Sequence, residues 1–300
     1  MSELKLLDFA KAQDLVLLEN EPLCDHTSFR IGGPARYFAM PKTVDQLADL
    51  LEFAAQNGLK YAVIGNGSNL LALDEGYDGL VIRTPEQAPC WSADGTVVTV
   101  ASGWSMTRLS AEAAQRGLTG LTFAQGIPGT VGGAVVMNAG AYGGQIADTL
   151  VSSRCMTPQG VRTLTAEEHC LAYRHSIYAD NPDWVCLEAT FRLTPGEKEA
   201  ILAEMADYAQ RRRDKQPLEW PSAGSTFKRP EGHFAGKLIE DAGLKGFTVG
   251  GAQVSEKHAG FVINKGGATC AHVLSLMEQV SAIVFEQFGV RLEPEVKVLK

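Results

Sequence analysis

The chain has 300 residues, 45% of them hydrophobic and 21% charged, which is the balance of a globular protein with room for two or three packing units. A formal net charge of −8 argues against nucleic acid as the main ligand but leaves open an anionic small molecule held by a few local cations. Six scattered cysteines without a CxxC pair, and six histidines without HExxH spacing, exclude a disulfide scaffold and a metal centre as first readings.

At the start of the chain, Glu3, Lys5, Asp8, Lys11 and Asp14 interrupt any apolar signal core, and no stretch approaches the length of a membrane span. A soluble, cytoplasmic protein is expected, with nothing that calls for more than a monomer. Residues 43–58 read as a helix: Thr43 can cap it, Val44, Leu47, Leu50, Leu51 and Ala54 form one apolar stripe, and Gly58 ends it. Strands are expected at 61–64, 80–82 and 97–100, and a second helix at 105–116 with Gly117 beyond its end. Further strands are expected at 151–156 and 185–193. Thr194-Pro195 then opens a long charged helix to about Arg213, with proline at a tolerated first position. The last part holds helices at 234–242 and 269–288 and strands at 247–254, 260–263 and 290–299. Helices and strands intermix without a strict βαβ rhythm, so the class is α+β.

Two glycine-rich segments stand out. Residues 65–70, GNGSNL, follow a strand as phosphate loops do, yet Leu70 stands where GxGxxG needs its third glycine, and no GK[ST] follows. Small residues there still let backbone N–H groups approach a pyrophosphate, with Ser68 and Asn69 as added donors. Residues 126–144, GIPGTVGGAVVMNAGAYGG, hold seven glycines among nineteen residues, interrupted by apolar side chains. That is backbone passing close to something, not linker. The two loops could grip one extended dinucleotide from two sides, and a pair of plain packed turns is the alternative.

These loops occur in order with TSFRIGGPA at 27–35, YRHS at 173–176, AGSTFKRP at 223–230 and LEPEVK at 292–297. Together they resemble the UDP-N-acetylenolpyruvoylglucosamine reductase family over nearly the whole chain, in its shorter form without the extra tyrosine-bearing loop. The resemblance implies the two-subdomain FAD-binding fold of vanillyl-alcohol-oxidase (PCMH) type at 1–95 and 96–205, followed by an α+β substrate-binding domain at 206–300. It implies FAD contacts from Gly65, Asn66, Gly67, Ser68, Asn69 and Leu70. On the second loop it implies them from Gly126, Ile127, Pro128, Gly129, Thr130, Gly133, Asn138, Gly140 and Ala141. The implied reaction uses NADPH to reduce an enolpyruvyl ether on a UDP-sugar to a lactyl ether.

Hydride addition at the methylene carbon drives charge toward the carboxylate, so the chemistry needs a cation there and a proton source at the adjacent carbon. Ser225, in a small-residue turn, is the expected proton donor. Its hydroxyl is a weak acid, but an enolate is a strong base. Arg174 offers a planar charged fork matched to two oxygens. Glu295 is the third implied residue, orienting Arg174 or moving a proton; alternation along a strand would place Glu293, Glu295 and Lys297 on one face and Leu292, Pro294, Val296 and Val298 on the other. Tyr173, Lys215, Lys228 and Gln253 are expected to contact substrate, while His258 reads as structural. Two other classes fit the loops: an alcohol or sugar oxidase of the same fold, whose reduced flavin would react with oxygen, and a non-enzymatic nucleotide-sugar binder, which would carry no flavin.

Overall fold

The computed structural model describes residues 2–300; Met1, where the segment read for a signal peptide begins, lies outside the described residues. Packing divides the chain into two compact units. The first contains the residues up to Glu19, Tyr37–Asn66 and Gly79–Gln210; the second contains Asn20–Arg36, Gly67–Asp78 and Arg211–Lys300.

The first unit has two cores. In one, helix Val44–Gln56 forms as expected: Thr43 Oγ1 accepts from the Gln46 N–H at 3.1 Å, and Val44, Leu47, Leu50, Leu51 and Ala54 are all buried. The larger of these side chains each contribute about 1.5–3 kcal/mol by leaving water. Leu80 and Ile82 close over them from a strand that pairs parallel with Tyr61–Ile64. The other core lies on a five-stranded antiparallel sheet, ordered Gly160–Thr165, Leu150–Thr157, Val185–Arg192, Val97–Ala101, Cys90–Trp91. Helix Met106–Gln115, capped by Ser105, packs against it through Met106, Leu109 and Ala113. Cys155 and Cys186 face each other across this sheet as free thiols. Burial pushes them up to about 11 and about 12, which suppresses the reactive thiolate.

The second unit holds a four-stranded antiparallel sheet, ordered Ser222–Ser225, Phe261–Asn264, Ala252–Val254, Thr248–Val249. Helix Cys270–Phe288 buries Val273, Leu276, Val280 and Val284 in a core completed by Phe29, Ile31 and Leu71 from the early segments. Its N-terminus is held by the Asp74 carboxylate, which accepts from the Cys270 and Ala271 N–H groups at 2.7 and 3.0 Å and sets negative charge against the helix dipole.

Four expectations are corrected. Thr194–Pro195 does not open a helix. It pairs with Leu118–Thr119, Gly196 N–H donates to Gly117 O at 2.8 Å, and the helix begins at Lys198. Proline is tolerated at such a ribbon edge because its missing N–H interrupts no ladder. Residues 126–144 conceal a short helix, Val131–Val136, capped by Thr130. Gly132 lies so close to Ser102 that a Cβ there would stand 2.6 Å from the serine Cβ. Residues 247–254 are two strands, turning at Gly250, where φ is +54° and a Cβ would stand 2.4 Å from His272 Cε1. At 290–299 only Lys297–Leu299 is strand, parallel to Leu70–Ala72. Leu292 and Val296 are buried, but Pro294 and Val298 are exposed, so the expected two-faced alternation fails. Pro294 lacks an N–H and makes a single bridge to Phe227 in place of a ladder.

Among the described residues no helix is long and apolar enough to cross a membrane, and no group of His, Cys, Asp and Glu side chains could hold a metal ion.

Candidate functional site

In the first unit the two glycine segments meet. Gly65 runs so close to Thr130 that a Cβ would stand 2.3 Å from its Oγ1, and Asn66 Nδ2 donates to Pro128 O at 3.0 Å. The second segment is anchored from behind: Met106 N–H donates to Gly129 O, Thr107 Oγ1 to Ile127 O, and the Val131 and Gly132 N–H groups to Trp104 O and Ser102 O. Thr130 Oγ1 accepts from Gly133 N–H at 3.3 Å. Among the described residues nothing accepts from the backbone N–H of Asn66, Gly126, Gly129 or Thr130. Such donors are ordinarily satisfied, and a row of them on glycine-rich backbone suits an anion.

The Asn138 side chain is engaged within the protein. The residue is buried at φ +44°; its Nδ2 donates to Gln145 Oε1 and Ala172 O, and its Oδ1 accepts from Ala147 N–H. Its amide thus brackets the ribbon Gly140–Ala141/Gly144–Gln145 to the turn at 172–175. Gly140 belongs in that ribbon because a Cβ would stand 2.8 Å from Gly144 O. Arg174 sits at the third position of the turn with φ +54°, closed by Ala172 N–H to His175 O at 3.1 Å. Its Nη2 donates to Gly140 O at 3.2 Å, and its guanidinium lies 5.0 Å from the Tyr173 ring centroid. Tyr173 itself is 53% exposed. Behind the turn runs a buried relay: His169 Nδ1 donates to Thr165 O at 2.6 Å, Ser153 Oγ lies 2.8 Å from His169 Nε2, and Tyr178 Oη lies 2.7 Å from Ser153 Oγ. The carbonyl can only accept, so Nδ1 carries the proton. Burial lowers the pKa of His169 and keeps the ring neutral, leaving Nε2 to accept from Ser153.

In the second unit the first loop continues as Gly67, Ser68 and Asn69, and nothing among the described residues accepts from their N–H groups either. Gly67 has φ +60°, and a Cβ would stand 2.2 Å from His26 O. Beside it, Ser28 N–H donates to Gly67 O, while Ser28 Oγ donates to Ser222 O at 2.6 Å, at the head of the strand that ends in Ser225. Gly224, at φ +75°, turns that strand, leaving Ser225 exposed while Thr226 is buried and accepts from Val262 N–H at 2.9 Å. Glu295 N–H donates to Thr226 O at 2.8 Å, Lys228 N–H to Glu293 O at 2.8 Å, and Asn69 Nδ2 to Glu295 O at 3.1 Å. Ser225, Glu295 and the glycine turn are therefore parts of one hydrogen-bonded frame. Leu70 leaves the turn as the first residue of the strand paired with Lys297–Leu299.

The remaining candidates are less committed to a ligand. Lys228 Nζ lies 3.3 Å from Glu293 Oε2, and Gln253 Nε2 donates to Gly246 O and Thr248 Oγ1 within its own hairpin. Lys215 is exposed at the end of helix Lys198–Lys215. His258 accepts from Gly260 N–H and packs edge-on against Phe261, in keeping with a structural role. Sequence reasoning missed the bracket at Asn138 and Gln145, and it missed Asn69 as the support of Glu295; partners 226 residues apart leave no local signal.

Residues 35–165 match the family described as FAD binding domain, and residues 216–299 match UDP-N-acetylenolpyruvoylglucosamine reductase, C-terminal domain. The UDP-N-acetylenolpyruvoylglucosamine reductase of Agathobacter rectalis is 51% identical over 298 residues, covering 95% of this chain and 94% of that protein. That of Lachnoclostridium phytofermentans is 50% identical over 285 residues, covering 93% and 92%. The crystal structure of UDP-N-acetylenolpyruvylglucosamine reductase from Thermus caldophilus superposes with a TM-score of 0.80 at 34% identity, covering 95% of this chain and 99% of that one.

Proposed function

Because the chain belongs to the UDP-N-acetylenolpyruvoylglucosamine reductase family, we propose that it reduces the enolpyruvyl ether of UDP-N-acetylglucosamine to the lactyl ether, a step in peptidoglycan precursor synthesis, with FAD as cofactor and NADPH as hydride source. The observation that carries this reading furthest is the frame in which Ser225, Glu295 and the glycine turn are tied together by backbone and amide bonds.

The residues fit the cofactor. In the first unit the unengaged N–H groups at Asn66, Gly126, Gly129 and Thr130 suit its pyrophosphate; in the second, those at Gly67, Ser68 and Asn69 are likewise unengaged, and at Gly65 and Gly67 no side chain could be accommodated. Bound there, FAD would supply the hydride-transfer chemistry between NADPH and the methylene carbon. Charge then develops on the substrate's carboxylate and adjacent carbon. Arg174 presents its guanidinium to that carboxylate, with Nη2 already steadied by Gly140 O. Ser225 Oγ–H gives the proton to the carbon and recovers one from solvent. Glu295, anchored at both its N–H and its carbonyl, sets the orientation of charge at the reacting group. Tyr173, Lys215, Lys228 and Gln253 hold the substrate's anionic and polar groups. The hydrophobic clusters around Leu47 and around Phe191 support a division of the first unit into two flavin-binding subdomains. The working form in this reading is a cytoplasmic monomer.

An absorbance spectrum of the purified protein tests it. The protein should be yellow, bleach with NADPH in the absence of oxygen, and recover colour when the enolpyruvyl UDP-sugar is added. Ser225→Ala should still bleach, but recover about 10²–10⁴-fold more slowly, as for a lost general acid. A chain that takes up no FAD would overturn the assignment, and recovery with oxygen but not with the sugar would point to an oxidase.

A further inference from the structure

The ribbon that carries Gly140 is fixed at its base by Asn138, and it is also fixed at its tip. Its two-residue turn is Tyr142-Gly143, with φ +54° and +91°. Asn, Asp or Gly is favoured at the first of these positions, because a bulky side chain there is strained. Tyrosine occupies it, and its ring stacks on Tyr208 of helix Lys198–Lys215 with centroids 4.2 Å apart and planes 4° from parallel. Tyr142 Oη donates to Tyr208 O at 3.4 Å, and Tyr208 Oη donates to Glu204 Oε1 at 2.8 Å. The helix is itself seated, since Ile201 and Met205 are buried against Ala114. There is no slack in the ribbon between base and tip: a Cβ on Gly144 would stand 2.7 Å from the Phe123 ring.

We infer that the Tyr142–Tyr208 stack is a positioning clasp for Arg174. The ring pair holds the ribbon tip, the ribbon holds the Gly140 carbonyl, and that carbonyl holds Nη2 of the guanidinium. A tyrosine retained at a strained turn position is explained by what its ring does on Tyr208. The inference rests on the proposed role of Arg174, and it adds two residues to the apparatus, acting through Arg174 and not on the substrate.

The test is a double-mutant cycle on the flavin-loaded enzyme, with reduction by NADPH and re-oxidation by the enolpyruvyl UDP-sugar timed separately by stopped flow. Tyr208→Ala should slow re-oxidation about ten- to a hundred-fold, the range expected when a catalytic group is displaced by about an ångström. FAD content and melting temperature should stay near those of the parent, and bleaching by NADPH within about two-fold. Tyr208→Phe, which keeps the ring, should restore the parent rate. Tyr142→Asn removes the same stack while easing the turn, and should give the same selective loss even if Tyr208→Ala folds poorly. In an Arg174→Ala background either change should have almost no further effect, because coupled residues are not additive. An equal loss in both backgrounds, or no loss with either tyrosine, would overturn the clasp. Should Arg174→Ala alone leave re-oxidation unchanged, the role assigned to Arg174 falls first, and the clasp with it.

Discussion

Arg174 is held at φ +54°, a conformation that costs a residue with a Cβ about 1–2 kcal/mol. Such strain persists only where the surroundings over-determine it, and here they do: Asn138 fixes Ala172 on one side, and Ser176 Oγ donates to Val136 O on the other. Each unit also holds one pH-sensitive histidine. Burial lowers the pKa values of both His169 and His258 below the ordinary 6.5. Each is neutral in both the folded and unfolded chain at pH 8. Below about pH 6.5 the unfolded chain takes up a proton that the folded chain resists, so stability is lost as the pH falls, by up to about 1.4 kcal/mol per pH unit for each histidine. The melting temperature should therefore decline from about pH 6.5 downward. His169→Gln should have a shallower decline than its parent at the cost of a lower plateau, and a parallel pair of curves would show that His169 is not the group responsible.

At the scale of elements, the proposed cofactor site requires Gly65 to stay tightly laid against Thr130. Gly65→Ala would drive a methyl group into Thr130 Oγ1, at 2.3 Å, and part the loops. FAD titration followed by flavin fluorescence should show binding weakened by a factor on the order of ten or more, as for a loss of about 1.4 kcal/mol or above. Gly95→Ala, at φ +74° with open space around it, is the control: it should lose some stability and no FAD affinity. Much at this scale was legible in the sequence. The helices after Thr43 and Ser105 carry their caps, their stripes and their terminal glycines in local order, so local rules sufficed. The helix Val131–Val136 was hidden because two of its six residues are glycines, and its first turn is secured by the carbonyls of Trp104 and Ser102. The strand expected from 290 failed for a related reason: its partner is Leu70–Ala72, which no local pattern announces. The site divides the same way. Candidate residues could be named one by one, whereas the engagement of the Asn138 amide could not be foreseen, because its three partners lie at Gln145, Ala147 and Ala172.

At the scale of the molecule, the C-terminal family match at 216–299 does not describe a self-sufficient body. Its core includes Phe29, Ile31 and Leu71, its last strand pairs with Leu70–Ala72, and the first two N–H groups of its longest helix donate to Asp74. Residues 211–300 expressed alone should consequently lack a cooperative melt and show poor amide dispersion by NMR, since losing several large buried side chains at about 2–5 kcal/mol each exceeds a typical domain's stability. A dispersed spectrum with a sharp unfolding transition from that fragment would show that the early segments are dispensable.

The passage of the chain back and forth between its two units also fixes an order in time. Phe29 and Leu71 are synthesised in the first quarter of the chain, whereas Val273, Val280 and Val296, which share their core, come near its end. At roughly 5–20 residues per second, the wait is on the order of ten to forty seconds. Throughout it, two apolar segments hang from a first unit whose own residues are already being delivered. Slow elongation lengthens that exposure and fast elongation shortens it, so the yield of finished protein depends on the pace of its own translation as well as on the stability of its final fold.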